Sequence, residues 1–350
     1  MRIFQRWLTA ALLAAAGLAG QSAGAAAHPG LDVRLSAATP VLYGNVDVNV
    51  TVTVTNVTRH PVQVPKHQLP DDDLQGSLFK ITKENGAPVR YEGPVVKRGL
   101  PRDQDMVRID PGESLNYTVE LTALYDLSSS GRYAIEYSSG GGRGAQRETL
   151  QSGVMYLWLE GRSTKGASTQ AQPASPPATS ATSYASCSAS QQTVLQAATS
   201  QALTYANGAV SYLGGTPAAT QRYVKWFGAF SSGGWNTAKT HYTAIQSAFA
   251  TQALAYDCKC KKPSVYAYVY PNQPYKIYLC GAFWSAPLAG TDSRGGTLIH
   301  EMSHFTVVAS TDDWVYGQAG AANLASTDPA KALDNADNHE YFAENTPALP

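Results

Sequence analysis

Gly296-Thr-Leu-Ile-His-Glu-Met-Ser-His-Phe305 is the stretch on which the reading of this 350-residue chain turns. His300 and His304 are four residues apart, so on a helix both imidazoles leave one face a single turn apart, with Glu301 beside them. The apolar spacing predicts a helix over Thr297 to Phe305, with Leu298, Ile299, Met302 and Phe305 towards a core and His300, Glu301 and His304 on the other side. Neutral imidazoles so placed form a ready zinc pair, and the neighbouring carboxylate can take a proton from water on the metal. A hydrolytic zinc site also needs a third protein ligand and an open position for water. A Glu on a later helix leaves only Glu340 and Glu344 as candidates, and a third His in the run that follows is absent from His304-Phe-Thr-Val-Val-Ala-Ser-Thr-Asp-Asp-Trp314.

Working outward, "SVYAYVYPNQPYKIYLCGAFW" predicts two short strands, Ser264 to Tyr270 and Tyr275 to Cys280, joined at Pro271-Asn272. Before them, "CSASQQTVLQAATSQALTYANGAVSYL" predicts a helix that Ser188 or Ser190 caps, and "ATQRYVKWFGAF" a second helix after Gly214-Gly215-Thr-Pro217. Ser163 to Ser186 is Ser, Thr, Ala, Pro and Gln with almost no bulky apolar side chain, the composition of an exposed linker and a place for a protease to cut. From Leu31 to Leu159 the chain reads as strands. "VDVNVTVTVTNVT", Val46 to Thr58, alternates with period two, and later segments repeat the pattern between Gly, Pro, Asn and Asp turns. A small antiparallel, Ig-like sandwich is the expected form. The expected organisation is a leader at 1–27, a β-sandwich propeptide at 28–162, the linker, and after it a mainly α (α+β) domain with a short sheet.

The leader follows from Met1-Arg-Ile-Phe-Gln-Arg6, a short apolar run and the small-residue "QSAGAAAHPG", which together read as an export signal cleaved after Ala27. No later run is long and apolar enough to span a bilayer. Twenty-six basic residues balance 26 acidic ones, which excludes an electrostatic case for nucleic acid or a membrane surface as partner. The catalytic end is nonetheless acidic, since only Arg294 and Lys331 offset the Asp and Glu residues after Thr291. Export makes disulfides of Cys187, Cys258, Cys260 and Cys280. Four cysteines allow three pairings, and Cys258 and Cys260 are too close to bridge each other.

Ser310-Thr-Asp-Asp-Trp-Val-Tyr-Gly317 then gives a resemblance to the deuterolysin, or aspzincin, class of zinc peptidases, whose His-Glu-x-x-His is followed by Gly/Ser-Thr-x-Asp-x-x-Tyr-Gly. The resemblance makes Asp313 the third ligand beside His300 and His304, leaves Asp312 in the variable place, and makes Tyr316 the hydroxyl that stabilises the oxyanion. With "YVYPN", "YLCGAFWSAPLAGTDSRGGTLIHEMSHF", "DWVYGQA" and "NADNHEYFAENTP", the chain from Ser183 to Pro350 is similar to the peptidyl-Lys metalloendopeptidases. That likeness implies a zincin-type catalytic domain at 183–350 with a mature start near Ser183, hence a linker at 163–182, one Zn2+ per catalytic domain, disulfides Cys187–Cys258 and Cys260–Cys280, and cleavage on the amino side of lysine.

The same likeness implies a lysine pocket formed by Asp337 and Glu340. Read from spacing alone, these two share one helical face if "PAKALDNADNHEYFAEN" is a helix after Asp328-Pro329; such a pair binds an ammonium if aimed into a closed pocket, while a solvated face is what most carboxylates form. His339 between them is structural or exposed. Glu301 is the expected proton carrier. Lysine-containing proteins and the chain's own propeptide are the expected partners of a secreted monomer, with a first self-cut at Thr164-Lys165. Rival readings are an aspzincin of other specificity acting as a toxin or on cell-wall peptides, and a non-catalytic binding protein stapled by zinc.

Overall fold

A computed structural model describes residues 30–70, 76–99, 101–139, 149–162 and 181–350. The expected leader, and the linker up to residue 180 with its Thr164-Lys165 bond, lie outside the described residues.

The N-terminal region is β-rich. In β3 (Asn49–Asn56) Val50, Val52 and Val54 are buried while Thr51, Thr53 and Thr55 face outward, as period two requires. It lies between β1 (Leu31–Ser36) and β8 (Ser114–Glu120), antiparallel to both. A second sheet runs β2 (Val41–Tyr43), β10 (Met155–Glu160), β9 (Gly131–Tyr137), β5 (Phe79–Lys83), and a ribbon pairs β4 (Val62–Pro65) with β7 (Met106–Ile109). These elements share one apolar core, including Val50, Val52, Ile81, Ile135 and Leu157. The expectation of a purely antiparallel sandwich needs correction, because β2 pairs with β10 in parallel.

A larger departure concerns β6 (Val95–Arg98). It leaves this region and becomes the fifth strand of a sheet whose other members belong to the C-terminal half. That sheet runs β11 (Ser183–Ala185), β12 (Ala255–Asp257), β14 (Lys276–Leu279), β13 (Val265–Val269), β6. The expected hairpin is present as β13 and β14, which pair antiparallel.

Eight helices complete the described C-terminal half: α1 (Ala189–Leu213), α2 (Gln221–Phe227), α3 (Ser232–Thr251), α4 (Gly281–Ser285), α5 (Arg294–His304), α6 (Gly317–Thr327), α7 (Pro329–Leu333) and α8 (Ala336–Glu344). Ser188 caps α1: its Oγ accepts from the Gln191 amide while the Gln191 side chain accepts from the Ser188 amide. Leu195, Ala198, Ala202, Ala206, Ala209 and Leu213 form the buried stripe of α1, and α5 packs closely against it. Disulfides join Cys187 to Cys258 and Cys260 to Cys280, tying the start of α1 and the end of β14 to the loop after β12.

One helical expectation is corrected. The segment after Pro329 is not one helix; it breaks between α7 and α8 because the Asn335 side chain is committed to the loop before α6, accepting from the amides of Trp314 and Val315. In α5 every residue from Gly295 to His304 is buried, on the side that carries His300, Glu301 and His304 as well as on the apolar side. Its second face looks into protein.

Candidate active site

Five side chains set the frame around α5. Ser293 caps the helix by accepting from the Gly296 amide at 2.9 Å. Glu344, on α8, grips that cap by accepting from the Ser293 amide at 2.9 Å and from its hydroxyl at 2.7 Å. Gly296 is required there, because a Cβ would lie 2.0 Å from Glu344 Oε1. At the other end, Ser303 Oγ and Thr311 Oγ1 are 2.6 Å apart, and Asn335 Nδ2 donates to Val315 O at 3.2 Å. The loop carrying Asp313 and Tyr316 is thereby fixed against both α5 and α8.

Within that frame His300, His304 and Asp313 converge, with one ligand-type atom from each lying within 4.8 Å of the others. Asp313 Oδ1 is 3.2 Å from His300 Nε2 and 3.5 Å from His304 Nε2. All three atoms are buried without a hydrogen-bond partner. Such orphaned atoms are costly unless something positive satisfies them, and two imidazole nitrogens with one carboxylate oxygen are a donor set that zinc accepts. The tautomers suit this. His304 Nδ1 is 2.8 Å from Thr311 O and donates to it, leaving Nε2 with its lone pair towards the cluster. His300 Nδ1 lies 2.8 Å from Asp337 Oδ1, which leaves its Nε2 equally disposed.

The electrostatics agree. Burial pushes the His304 pKa down to about 4, keeping that ring neutral. Burial also opposes charge on His300, but Asp313, Asp337 and Glu340 outweigh it and hold its pKa well above the usual value, so the cluster favours positive charge at this point. Burial likewise raises Asp313, yet the two imidazoles more than compensate and leave it below the usual carboxylate range. Glu301 is fully buried, both its oxygens lack a hydrogen-bond partner, and burial pushes it up to about 8. Such a carboxyl group sits in the range where it can take and return a proton. The Tyr316 hydroxyl is kept protonated, its pKa raised by burial and by Asp313; its oxygen is 2.9 Å from Asp313 Oδ2 and 2.9 Å from the carbonyl oxygen of Val96.

Asp337, in the first turn of α8, and Glu340, three residues on, are fully buried, and between them sits an ammonium. Lys97, from β6, is 0% exposed; its Nζ donates to Asp337 Oδ1 at 3.2 Å and to Glu340 Oε2, and lies 3.6 Å from Asp292 Oδ1. The Tyr266 and Tyr341 ring centroids are 5.4 and 5.9 Å from the same nitrogen, and Tyr341 donates to Asp292 Oδ1 at 2.7 Å. His300, Asp337 and Glu340 also meet the spacing of a metal cluster, but Lys97 already serves those carboxylates, which makes this an ammonium pocket.

Sequence reasoning brought together His300, Glu301, His304, Asp313, Tyr316, Asp337 and Glu340, and the fold places them around one centre. It missed Lys97 and the third pocket carboxylate, Asp292, which adopts a positive φ of 52°. Glu344, weighed as a ligand, instead clamps the helix cap. His339 is buried and structural, with Nδ1 3.0 Å from Asn335 O and Nε2 2.9 Å from His241 Nδ1.

Residues 212–344 match the aspzincin family model, described as lysine-specific metallo-endopeptidase. The chain is 45% identical over 340 residues to an extracellular protease of Aeromonas hydrophila, covering 95% of this chain and 96% of that protein. It is 39% identical over 332 residues to the peptidyl-Lys metalloendopeptidase of Armillaria mellea, covering 92% and 93%. The peptidyl-Lys metalloendopeptidase of Pleurotus ostreatus is 55% identical over 166 residues, which span 47% of this chain and 98% of that one.

Proposed function

The chain belongs to the aspzincin family of lysine-specific metallo-endopeptidases, and from that premise we propose that it is a secreted zinc enzyme hydrolysing Xaa-Lys bonds. His300, His304 and Asp313 would hold one zinc ion, which when bound would supply Lewis acidity and lower the pKa of a water. Glu301 accepts the proton of the attacking water and delivers it to the leaving amine. Tyr316 donates to the carbonyl oxygen as negative charge develops on it. Asp337 and Glu340 take the ammonium of the lysine that follows the scissile bond, and Asp337 also orients His300.

One observation carries the lysine assignment: an ammonium buried between Asp337 and Glu340 sits one residue after a carbonyl on the Tyr316 hydroxyl. Two carboxylates with Asp292 at their rim bind a lysine and leave a neutral side chain facing unpaired charge. Secretion is supported by the extracellular relative, by two disulfides and by the absence, among the described residues, of a helix long and apolar enough to cross a membrane. The β-rich region is a propeptide removed by cutting the linker, which leaves a monomeric catalytic domain. The Pleurotus relative, nearly all of which aligns with about half of this chain, supports that division.

Mass spectrometry of peptides released from a denatured protein tests the reading. The processed enzyme should generate new N-termini at lysine, and Glu301→Gln should retain zinc yet lose several orders of magnitude in turnover. New N-termini spread over many residue types would refute the specificity, and near-normal turnover by Glu301→Gln would remove that residue from its role.

A further inference from the structure

We infer that the C-terminal half carries a second substrate subsite, an apolar one formed by Val265, Tyr268 and the Cys260–Cys280 disulfide, which selects an aliphatic side chain on the residue before the lysine. The inference rests on the lysine-pocket reading, because Lys97 in that pocket fixes the register in which β6 is read. With the Lys97 ammonium between Asp337 and Glu340, the Tyr316 hydroxyl donates to the carbonyl oxygen of Val96. Val96 therefore stands in for the substrate residue on the other side of the scissile bond.

Strand geometry separates the two side chains. β6 runs antiparallel to β13, pairing Val95 with Val269, Val96 with Tyr268 and Lys97 with Ala267. Successive side chains of a strand leave opposite faces, so with Lys97 in the carboxylate pocket Val96 points away from it. Directly paired residues share a face, which sets Val96 beside Tyr268. Arg98, two residues on, pairs with Val265 across an irregularity in the register, and this brings Val265 to the same side. There Val96 is buried in a small apolar cluster with Val265 and Cys280, with Tyr268 and Cys260 packed against it. All four of those neighbours lie in the C-terminal half, and the cluster is separate from the core of the β-rich region. The subsite thus belongs to the catalytic half.

Its walls are held in place before a side chain arrives. The Cys260–Cys280 bond ties the loop before β13 to the end of β14. Tyr268 lies flat on Tyr278, with ring centroids 4.5 Å apart and planes 7° from parallel, and Tyr270 meets the two rings edge-on at 6.1 and 5.9 Å. Lys276 Nζ lies 4.6 Å from the centroid of the Tyr278 ring, on which Tyr268 rests. Walls ordered in this way add little entropy cost to binding. The four lining side chains carry no charge. A glycine before the lysine leaves them unfilled, and a carboxylate loses solvation there with nothing in return, whereas a valine-sized side chain gains the full burial.

The full-length chain, expressed whole, allowed to mature and loaded with zinc, is given a mixture of peptides differing only around one bond: Val-Lys, Gly-Lys, Glu-Lys, Phe-Lys and Val-Gln. Relative kcat/KM is read by mass spectrometry. Val-Lys should be cut at least about 10-fold faster than Gly-Lys or Glu-Lys. In Tyr268→Thr, which keeps a strand-forming residue but removes the ring, that preference should fall to about 3-fold or less. Val265→Ala, which deepens the site, should shift the preference from Val-Lys towards Phe-Lys. Equal cleavage of Val-Lys and Gly-Lys by the unaltered enzyme, or an unchanged preference in either folded variant, overturns the inference. Val-Gln cut as fast as Val-Lys, with Val-Lys still ahead of Gly-Lys, leaves the subsite standing and removes the lysine-pocket reading. Should Tyr268→Thr yield no folded protein, Val265→Ala decides alone, and the absence of a shift towards Phe-Lys overturns the inference.

Discussion

Glu340→Gln in the processed enzyme isolates the charge that selects lysine. The substitution preserves shape and removes one of the three carboxylates around the ammonium; Asp337 at 3.2 Å and Asp292 at 3.6 Å remain. A hydrogen bond to a charged group contributes about 1.5–3 kcal/mol, so kcat/KM on lysine substrates should fall about 10- to 150-fold. Catalysis itself should survive. Glu340 Oε2 is 3.5 Å from His300 Nδ1, whereas Asp337 Oδ1 is 2.8 Å away and carries the orientation of that ring. The assay is competition between two peptides differing only in lysine or glutamine after the cut, read by mass spectrometry. The lysine-to-glutamine ratio should collapse while zinc content is unchanged. An unchanged ratio, or an equal fall on both peptides, refutes the reasoning. Asp337→Asn should behave differently: Asp337 Oδ2 also accepts from the Gly317 amide at 2.5 Å, so both substrates should suffer.

Tyr316→Phe should lower kcat by about 100-fold or more with little change in KM, as loss of an oxyanion donor does; retained kcat would assign the hydroxyl to packing alone. Gly296→Ala drives a methyl to 2.0 Å from Glu344 Oε1 and should destabilise the fold by about 1–3 kcal/mol in urea titration, and a neutral result would show that α5 and α8 can part freely. Acid should also weaken the fold through His339, whose pKa burial lowers to about 3 from an ordinary 6.5. Between those values the unfolded chain binds a proton that the folded chain refuses. Stability therefore falls as pH drops below about 6.5, by up to about 1.4 kcal/mol per pH unit. His339→Gln should flatten that slope in urea unfolding followed across pH, and an unaltered slope would assign it to other groups.

Where the chemistry is local, the sequence was readable. Two histidines one helical turn apart, the Val/Thr alternation of β3 and the Pro271-Asn272 turn each declare their geometry within a few residues. Asp313, Tyr316, Asp337, Glu340 and both disulfide pairings required resemblance, because their partners are distant along the chain. The helix α3 escaped notice because Gly233 and Gly234 stand in its first turn and weaken the helical signal. The break before α8 depends on the Asn335 side chain binding a loop twenty residues earlier, which no propensity records. Lys97 was hidden for the same reason: Lys66, Lys80 and Lys83 look no different in composition, and only the pairing of β6 with β13 selects one of them. The roles of Asp292 and Glu344 likewise exist only once α5 and α8 are packed together.

Anomalous X-ray scattering at the zinc edge, from crystals of the full chain carrying Glu301→Gln, addresses the centre of the account. One peak is expected about 2.0–2.2 Å from His300 Nε2, His304 Nε2 and an oxygen of Asp313. A peak elsewhere, or none at that cluster in protein shown to contain stoichiometric zinc, would contradict it.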